Sequence, residues 1–138
     1  MFAEGWGLPK PDAFLAHFLP VIDTDATFRQ PTFPDAHGLA QIEQMFRRFF
    51  VLFPDLTVTV CGFAIAGDIV FIESGCAATL GRTTVRFDVC DRFVIRNGKV
   101  VERRSFSDSL PVLLAVLARP ASWPRAIRAR TSRKPDQT

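Results

Sequence analysis

One carboxyl on an otherwise apolar strand face is the group in this chain best placed to do chemistry. Between Thr83 and Asp108 the side chains alternate: Val85, Phe87, Val89, Phe93 and Ile95 fall on one face, and Thr84, Arg86, Asp88, Arg92 and Arg96 on the other. Such a period of two marks a half-buried strand. Asp91 is the only polar residue on the apolar face. A carboxyl in that position must hold a hydrogen-bond partner, stay protonated, or look into a cavity. Protonated, it donates a hydrogen bond; ionised beside Arg103 or Arg104, it serves as a general base. His17, at the edge of an apolar helical stripe, is the second proton carrier to consider, so Asp91 and His17 are the catalytic candidates.

The partner of Asp91 depends on the strand that follows. Asn97-Gly98 predicts a type I′ turn, the strongest short-range hairpin signal. A two-residue turn puts Arg96 opposite Lys99 and, in unbroken register, Asp91 opposite Arg104. Phe93 then faces Glu102, Val89 faces Phe106, and Asp91 with Arg104 forms a buried ion pair. One β-bulge shifts the far end by a residue and brings Arg103, Ser105 and Ser107 to the face of Asp91 instead. Both registers are open to the sequence.

The elements that would hold this strand are legible in order. Met1–Lys10 carries Gly5, Gly7 and Pro9 with little periodicity, and Trp6 within it packs across or lines a core opening. Pro11-Asp12 opens a helix whose stripe is Phe14, Leu15, Phe18 and Leu19, and Pro20 ends it. Asp23–Pro31 reads as a short extended piece with Phe28 and Gln30 on one face. A loop through Pro31, Pro34 and Gly38 follows; Asp35 and His37 within it read as loop polarity. Leu39–Phe53 is the clearest helix, with Leu39, Ile42, Met45, Phe46, Phe49 and Phe53 at three- and four-residue steps. This stripe is core first and ligand wall second. Strands are predicted from Leu56, with a bend at Gly62, and from Ile69 to Ala78. Small residues such as Ser74, Gly75 and Ala77 in the second of these suit a cavity wall. SLPVLLAVLARP, after Asp108, reads as a short apolar helix or strand end.

Composition narrows the class. The chain has 138 residues, 48% hydrophobic and 22% charged, with a net charge of +3. That suits one domain with its own core. No apolar run reaches the roughly 20 residues that span a bilayer, and no signal peptide is visible; the expected location is cytoplasmic and no membrane partner is expected. The three cysteines, Cys61, Cys76 and Cys90, are an odd number inside strand-like runs and read as reduced buried thiols. No metal-ligand spacing and no phosphate-cradling glycine loop occurs, so neither metal nor cofactor is expected. The stretch after Pro120 is basic, with Arg125, Arg128, Arg130, Arg133 and Lys134 against Asp136. No aromatics interleave with these cations, which speaks against a nucleic-acid partner.

The order of elements, and the local wording PDAFLAHF, DTDATFRQP, HGLAQIEQMFRRFF, FPDL and RNGKVVERRSFSD, resembles the nuclear transport factor 2-like superfamily over most of residues 11–112. Within it the chain is most similar to the SnoaL-like group, whose relatives include polyketide cyclases, ketosteroid isomerases and limonene-epoxide hydrolases. The resemblance implies an α+β fold of the cystatin-like type: a cone-shaped, curved antiparallel β-sheet wrapped around N-terminal helices. It implies one domain, taken over residues 1–120, with a deep apolar cavity and a homodimer; the charge placement makes 121–138 a basic, flexible tail.

The resemblance also tests positions. The general base of ketosteroid isomerases corresponds to Gln30, which cannot take a proton at neutral pH, and their oxyanion-hole Asp corresponds to Asp91. Their Tyr has no counterpart, since the chain contains none. The cyclase acid/base pair corresponds to Asp91 and Ser105. The hydrolase triad positions read Ser74, Cys76 and Ser105, so that chemistry is absent. The implied ligand is a hydrophobic small molecule bearing a ketone. Trp6, Phe14, Phe28, Phe49 and Phe93 would wall it in. Gln30, Ser74, Cys76, Arg103, Arg104 and Ser105 would supply polar contacts. The implied activity is that of an isomerase or cyclase, with non-catalytic binding as the alternative.

Overall fold

The computed structural model describes residues 1–31, 33–118 and 128. The basic stretch 121–138, Arg128 apart, lies outside the described residues. Two short helices open the chain, α1 (Phe2–Trp6) and α2 (Asp12–Phe18). Pro20 does end α2, through a 3-10 turn over Leu19–Val21. Strand β1 (Ile22–Arg29) and the two-residue β2 (Ala36–His37) lead into α3 (Gly38–Leu52). Then come β3 (Thr57–Ala66), β4 (Ile69–Leu80), β5 (Thr83–Arg96), β6 (Lys99–Ser107) and α4 (Leu110–Leu117).

The six strands form one sheet in the order β2-β1-β6-β5-β4-β3. From β3 to β6 it is an antiparallel meander, but β1 runs parallel to β6. The sheet is therefore mixed, a point the alternation pattern does not carry, because the chain returns to β6 only after α3 and three strands. At Gly62 the β3–β4 register slips by one residue, which is the bend expected there. The Asn97-Gly98 turn has φ of 51° and 74°, as a type I′ turn requires.

The concave face of the sheet closes on the helices. Ile42, Met45, Phe46 and Phe50 of α3 are buried against Phe14 and Leu15 of α2 and Ala26 and Phe28 of β1. The ring of Phe14 lies 4.7 Å from Trp6, 4.6 Å from Phe18 and 5.0 Å from both Phe46 and Phe50. The glycine-rich start of the chain, which gave no periodic signal, is thus helical because it docks on this aromatic cluster. Buried Gly5 lets α1 approach α2: a Cβ there would run into the ring of Phe18. Gly5→Ala is expected to destabilise the protein by about 1–3 kcal/mol, seen as a lower urea midpoint at unchanged slope. No helix among the described residues is long and apolar enough to cross a membrane.

Candidate functional site

The β5–β6 pairing decides what Asp91 meets. The register shifts between Val94 and Ile95, leaving Val101 as the extra residue of a bulge, and Asp91 pairs with Ser105. Arg103, Ser105 and Ser107 consequently turn to the concave face. The unbroken register, with Arg104 against Asp91, does not occur. Arg104 is exposed on the convex face with its guanidinium over the ring of Phe106 at 4.9 Å, so the sequence assignment of Arg104 to the ligand wall is corrected. Glu102 also faces outward and takes an ion pair from Arg92 at 2.9 Å. The bulge therefore keeps one acid and one base of β6 out of the apolar interior.

Asp91 and Arg103 are 4% and 8% exposed. Arg103 donates from Nε to Oδ1 of Asp91 at 3.0 Å, and its Nη2 lies 2.9 Å from the same oxygen. Oδ2 takes no hydrogen bond among the described residues, and Asp91 lines the hollow beside it. Longer contacts run from Nη1 to Oε1 of Gln30 at 3.4 Å and from Nη2 to the hydroxyl of Ser105 at 3.5 Å. The guanidinium also sits 5.6 Å from the ring centre of Phe28 and 5.9 Å from that of Phe46, within range of cation–π attraction. Arg103 is thus fixed on every side by acid, amide, hydroxyl and two aromatic faces.

The hollow beside this pair has a volume of about 70 Å³. Phe33, Phe49, Phe53, Val58, Phe87 and Val89 supply much of its apolar wall. Its polar side chains include Gln30, Ser74, Asp91, Arg103, Ser105, Ser107 and Ser109, and Trp6 also borders it. Three of the polar atoms on this lining are buried without a hydrogen-bond partner: Nε1 of Trp6, Nε2 of Gln30 and Oγ of Ser74. Two of these are donors only and the third can donate. Each unmade buried hydrogen bond costs about 1–3 kcal/mol, a cost that a bound polar group reaching these atoms would offset.

Of the residues singled out in the sequence, Trp6, Gln30, Phe49, Ser74, Cys76, Asp91, Arg103 and Ser105 all line this hollow. Phe14, Phe28 and Phe93 do not; they border a second hollow on the same concave face. His17 borders neither. Its Nε2 lies 3.0 Å from the carbonyl oxygen of Met1, and its ring stands edge-on to Phe18 at 5.0 Å. It clasps the N-terminal helix and is corrected from a proton carrier to a structural contact. Phe2 escaped the sequence reading because no period marks it; Ser107, two residues beyond Ser105, was accessible to it as a member of the bulged face.

Cys76 is 8% exposed, and burial, reinforced by the charge of Asp91, pushes its thiol up to about 12. Because the thiolate is the nucleophile, Cys76 contributes bulk and not covalent chemistry. At neutral pH iodoacetamide is expected to label exposed Cys61 and to spare Cys76 in the folded protein, as peptide mass mapping would show. The same shift has a sign for stability. Above the ordinary thiol range the unfolded chain gives up this proton while the folded chain keeps it to about 12. Stability should accordingly decline between these limits as pH rises.

With the geometry in place, the relationships are plain. The chain belongs to the SnoaL-like domain family, whose sequence pattern matches residues 2–103. A candidate SnoaL-like polyketide cyclase from Jannaschia sp. CCS1 superposes with a TM-score of 0.74 at 25% identity, covering 85% of this chain and 86% of that one. IdmH, a candidate polyketide cyclase from Streptomyces antibioticus, gives a TM-score of 0.66 at 21% identity over 83% of this chain and 92% of its own. A protein from Catenulispora acidiphila DSM 44928 with a ketosteroid isomerase-like fold, in complex with trimethylamine, gives 0.65 at 18% identity, over 76% and 80%. The fold is that of the ketosteroid isomerase-like, nuclear transport factor 2-like proteins. No curated protein matches the sequence.

Proposed function

We propose that the protein binds a hydrophobic ketone in the cone and abstracts a proton next to its carbonyl, as an isomerase or cyclase. The observation that carries this reading is the buried Asp91 on the lining of the hollow, held through Oδ1 by Arg103 with no hydrogen bond on Oδ2 among the described residues. The partner of Asp91 is a buried cation, and that pairing supports the general-base role over the neutral-donor role. In the proposed step the C–H bond α to the carbonyl breaks, the proton passes to Oδ2, and the electron pair moves to the carbonyl oxygen. The side chains that border the hollow carry donors for that oxygen: Nη1 of Arg103, and the unpaired Nε2 of Gln30 and Nε1 of Trp6, which are buried and reach it once their side chains turn. Where the ketone carries a β,γ double bond, the dienolate takes the proton back from Oδ2 at its γ carbon, as an isomerase requires; where a second carbonyl lies in the same molecule, the α carbon attacks it, a ring closes, and the alkoxide formed takes the proton from Oδ2. The likeness to candidate polyketide cyclases supports the same class.

The test is α-deuterium exchange in heavy water followed by NMR. The protein is expected to accelerate exchange in at least one member of a panel of hydrophobic mono- and diketones. Binding without any exchange would favour the second reading, a non-catalytic carrier. One feature speaks for that carrier: Gln30 and Ser105, at the positions where relatives are expected to have proton carriers, exchange no proton. Neither binding nor exchange across the panel would sink both.

A further inference from the structure

Arg103 borders two hollows, not one. The second, of about 200 Å³, lies on the same concave face nearer the Asn97-Gly98 turn. Along each strand the inward side chains pass from one hollow to the next. On β5, Val89 and Asp91 line the first, and Phe93 and Ile95 the second; on β4, Cys76 and Ser74 give way to Ile72 and Val70. Phe2, Trp6, Phe46 and Arg103 border both and form the partition. Beyond it Arg103 is the only ionisable side chain on the lining. All of its polar contacts, to Asp91, Gln30 and Ser105, are with residues of the first hollow.

We propose that the second hollow receives a hydrocarbon portion of the ligand, so that the ligand is an amphiphile. Its oxygen-bearing head lies against Asp91 and Arg103, and its alkyl chain or single ring lies past Arg103 toward the Asn97-Gly98 turn. The head-group half rests on the reading of the Asp91 hollow given above. The tail half rests on size and lining. An apolar cavity of about 150 Å³ stays dry and takes up benzene, and this one, at about 200 Å³, is larger and as apolar. The partition can yield, because Phe2 and Trp6 belong to the five-residue α1, too short to be held by its own hydrogen bonds. Half-buried Val70, Ile95 and Val100, with Met1 61% exposed on the same lining, leave the far end reachable from solvent.

Calorimetry with straight-chain methyl ketones (butanone, hexanone, octanone, decanone) tests the proposal. Affinity should rise about fourfold for each added methylene that is buried, then level off once the hollow is full. Val70→Phe puts a ring into the hollow and should flatten the series while leaving butanone binding as it was. Val100→Phe, from the opposite strand, guards against a folding failure of the first variant. Equal chain-length dependence in wild type and both variants would overturn the proposal. Benzene, which has no oxygen, separates it from the head-group reading. A rise in wild-type Tm with benzene, absent in the variants, supports the second hollow even where no ketone binds, and in that case the Asp91 reading alone falls. No benzene shift together with no chain-length dependence overturns the proposal.

Discussion

Arg103→Met is expected to cost about 3–5 kcal/mol of folding stability, because it leaves a buried carboxylate without its counter-charge. The two side chains are 8% and 4% exposed, and Arg103 makes both of its close contacts to Asp91 through one oxygen. Met keeps an unbranched stem and removes the guanidinium, with its charge beside Asp91 and its place over the rings of Phe28 and Phe46, so the loss is chiefly electrostatic. The double variant Arg103→Met with Asp91→Leu should regain most of it, since an apolar pair of similar volume replaces a buried ion pair at little cost. Urea melts of the four proteins in a double-mutant cycle give the coupling directly. A loss below about 1 kcal/mol for the single variant would mean that solvent screens the pair as it does at a surface.

Asp91→Asn should lower the rate of α-proton exchange by about 10²- to 10⁴-fold, the usual contribution of a positioned general base. The amide keeps the shape of the acid, and its oxygen can still accept from Arg103, but the buried guanidinium loses its counter-charge, so the exchange rates are compared per folded molecule after urea melts of both proteins. What disappears is the capacity of Oδ2 to hold a proton. Ketone affinity should change little, since the apolar wall and the donors from Trp6 and Gln30 stay in place. Exchange at the wild-type rate in this variant would remove Asp91 from the mechanism and leave the protein as a carrier.

The sequence carried the frame of this molecule further than its site. The alternation of β5, the stripe of α3 and the Asn97-Gly98 turn are local signals with fixed periods, and each element lies within a few residues of where those periods put it. Arg103 versus Arg104 was not decidable, because one surplus residue at Val101 reverses the facing of all that follows, and no local preference marks a bulge there. The contact of Gln30 with Arg103 joins residues 73 positions apart, and the parallel pairing of β1 with β6 that makes it possible leaves no trace in either strand alone. The division of the interior into two hollows likewise depends on where α1 docks, and α1 has no periodicity of its own.

That parallel pairing bears on the order in which the protein assembles. The meander from β3 to β6 needs only neighbouring strands and tight turns, whereas β1, beyond its local pairing with β2 and packing on α3, must close a long loop before it pairs with β6. The expected sequence of events is meander first and β1 late. β1 carries Phe28 and leads directly into Gln30, two of the groups that hold the Arg103 guanidinium still. A partly folded chain that has its hairpins but not β1 would therefore own the charged pair without its clamp, and the site would come into being only with the last step of folding.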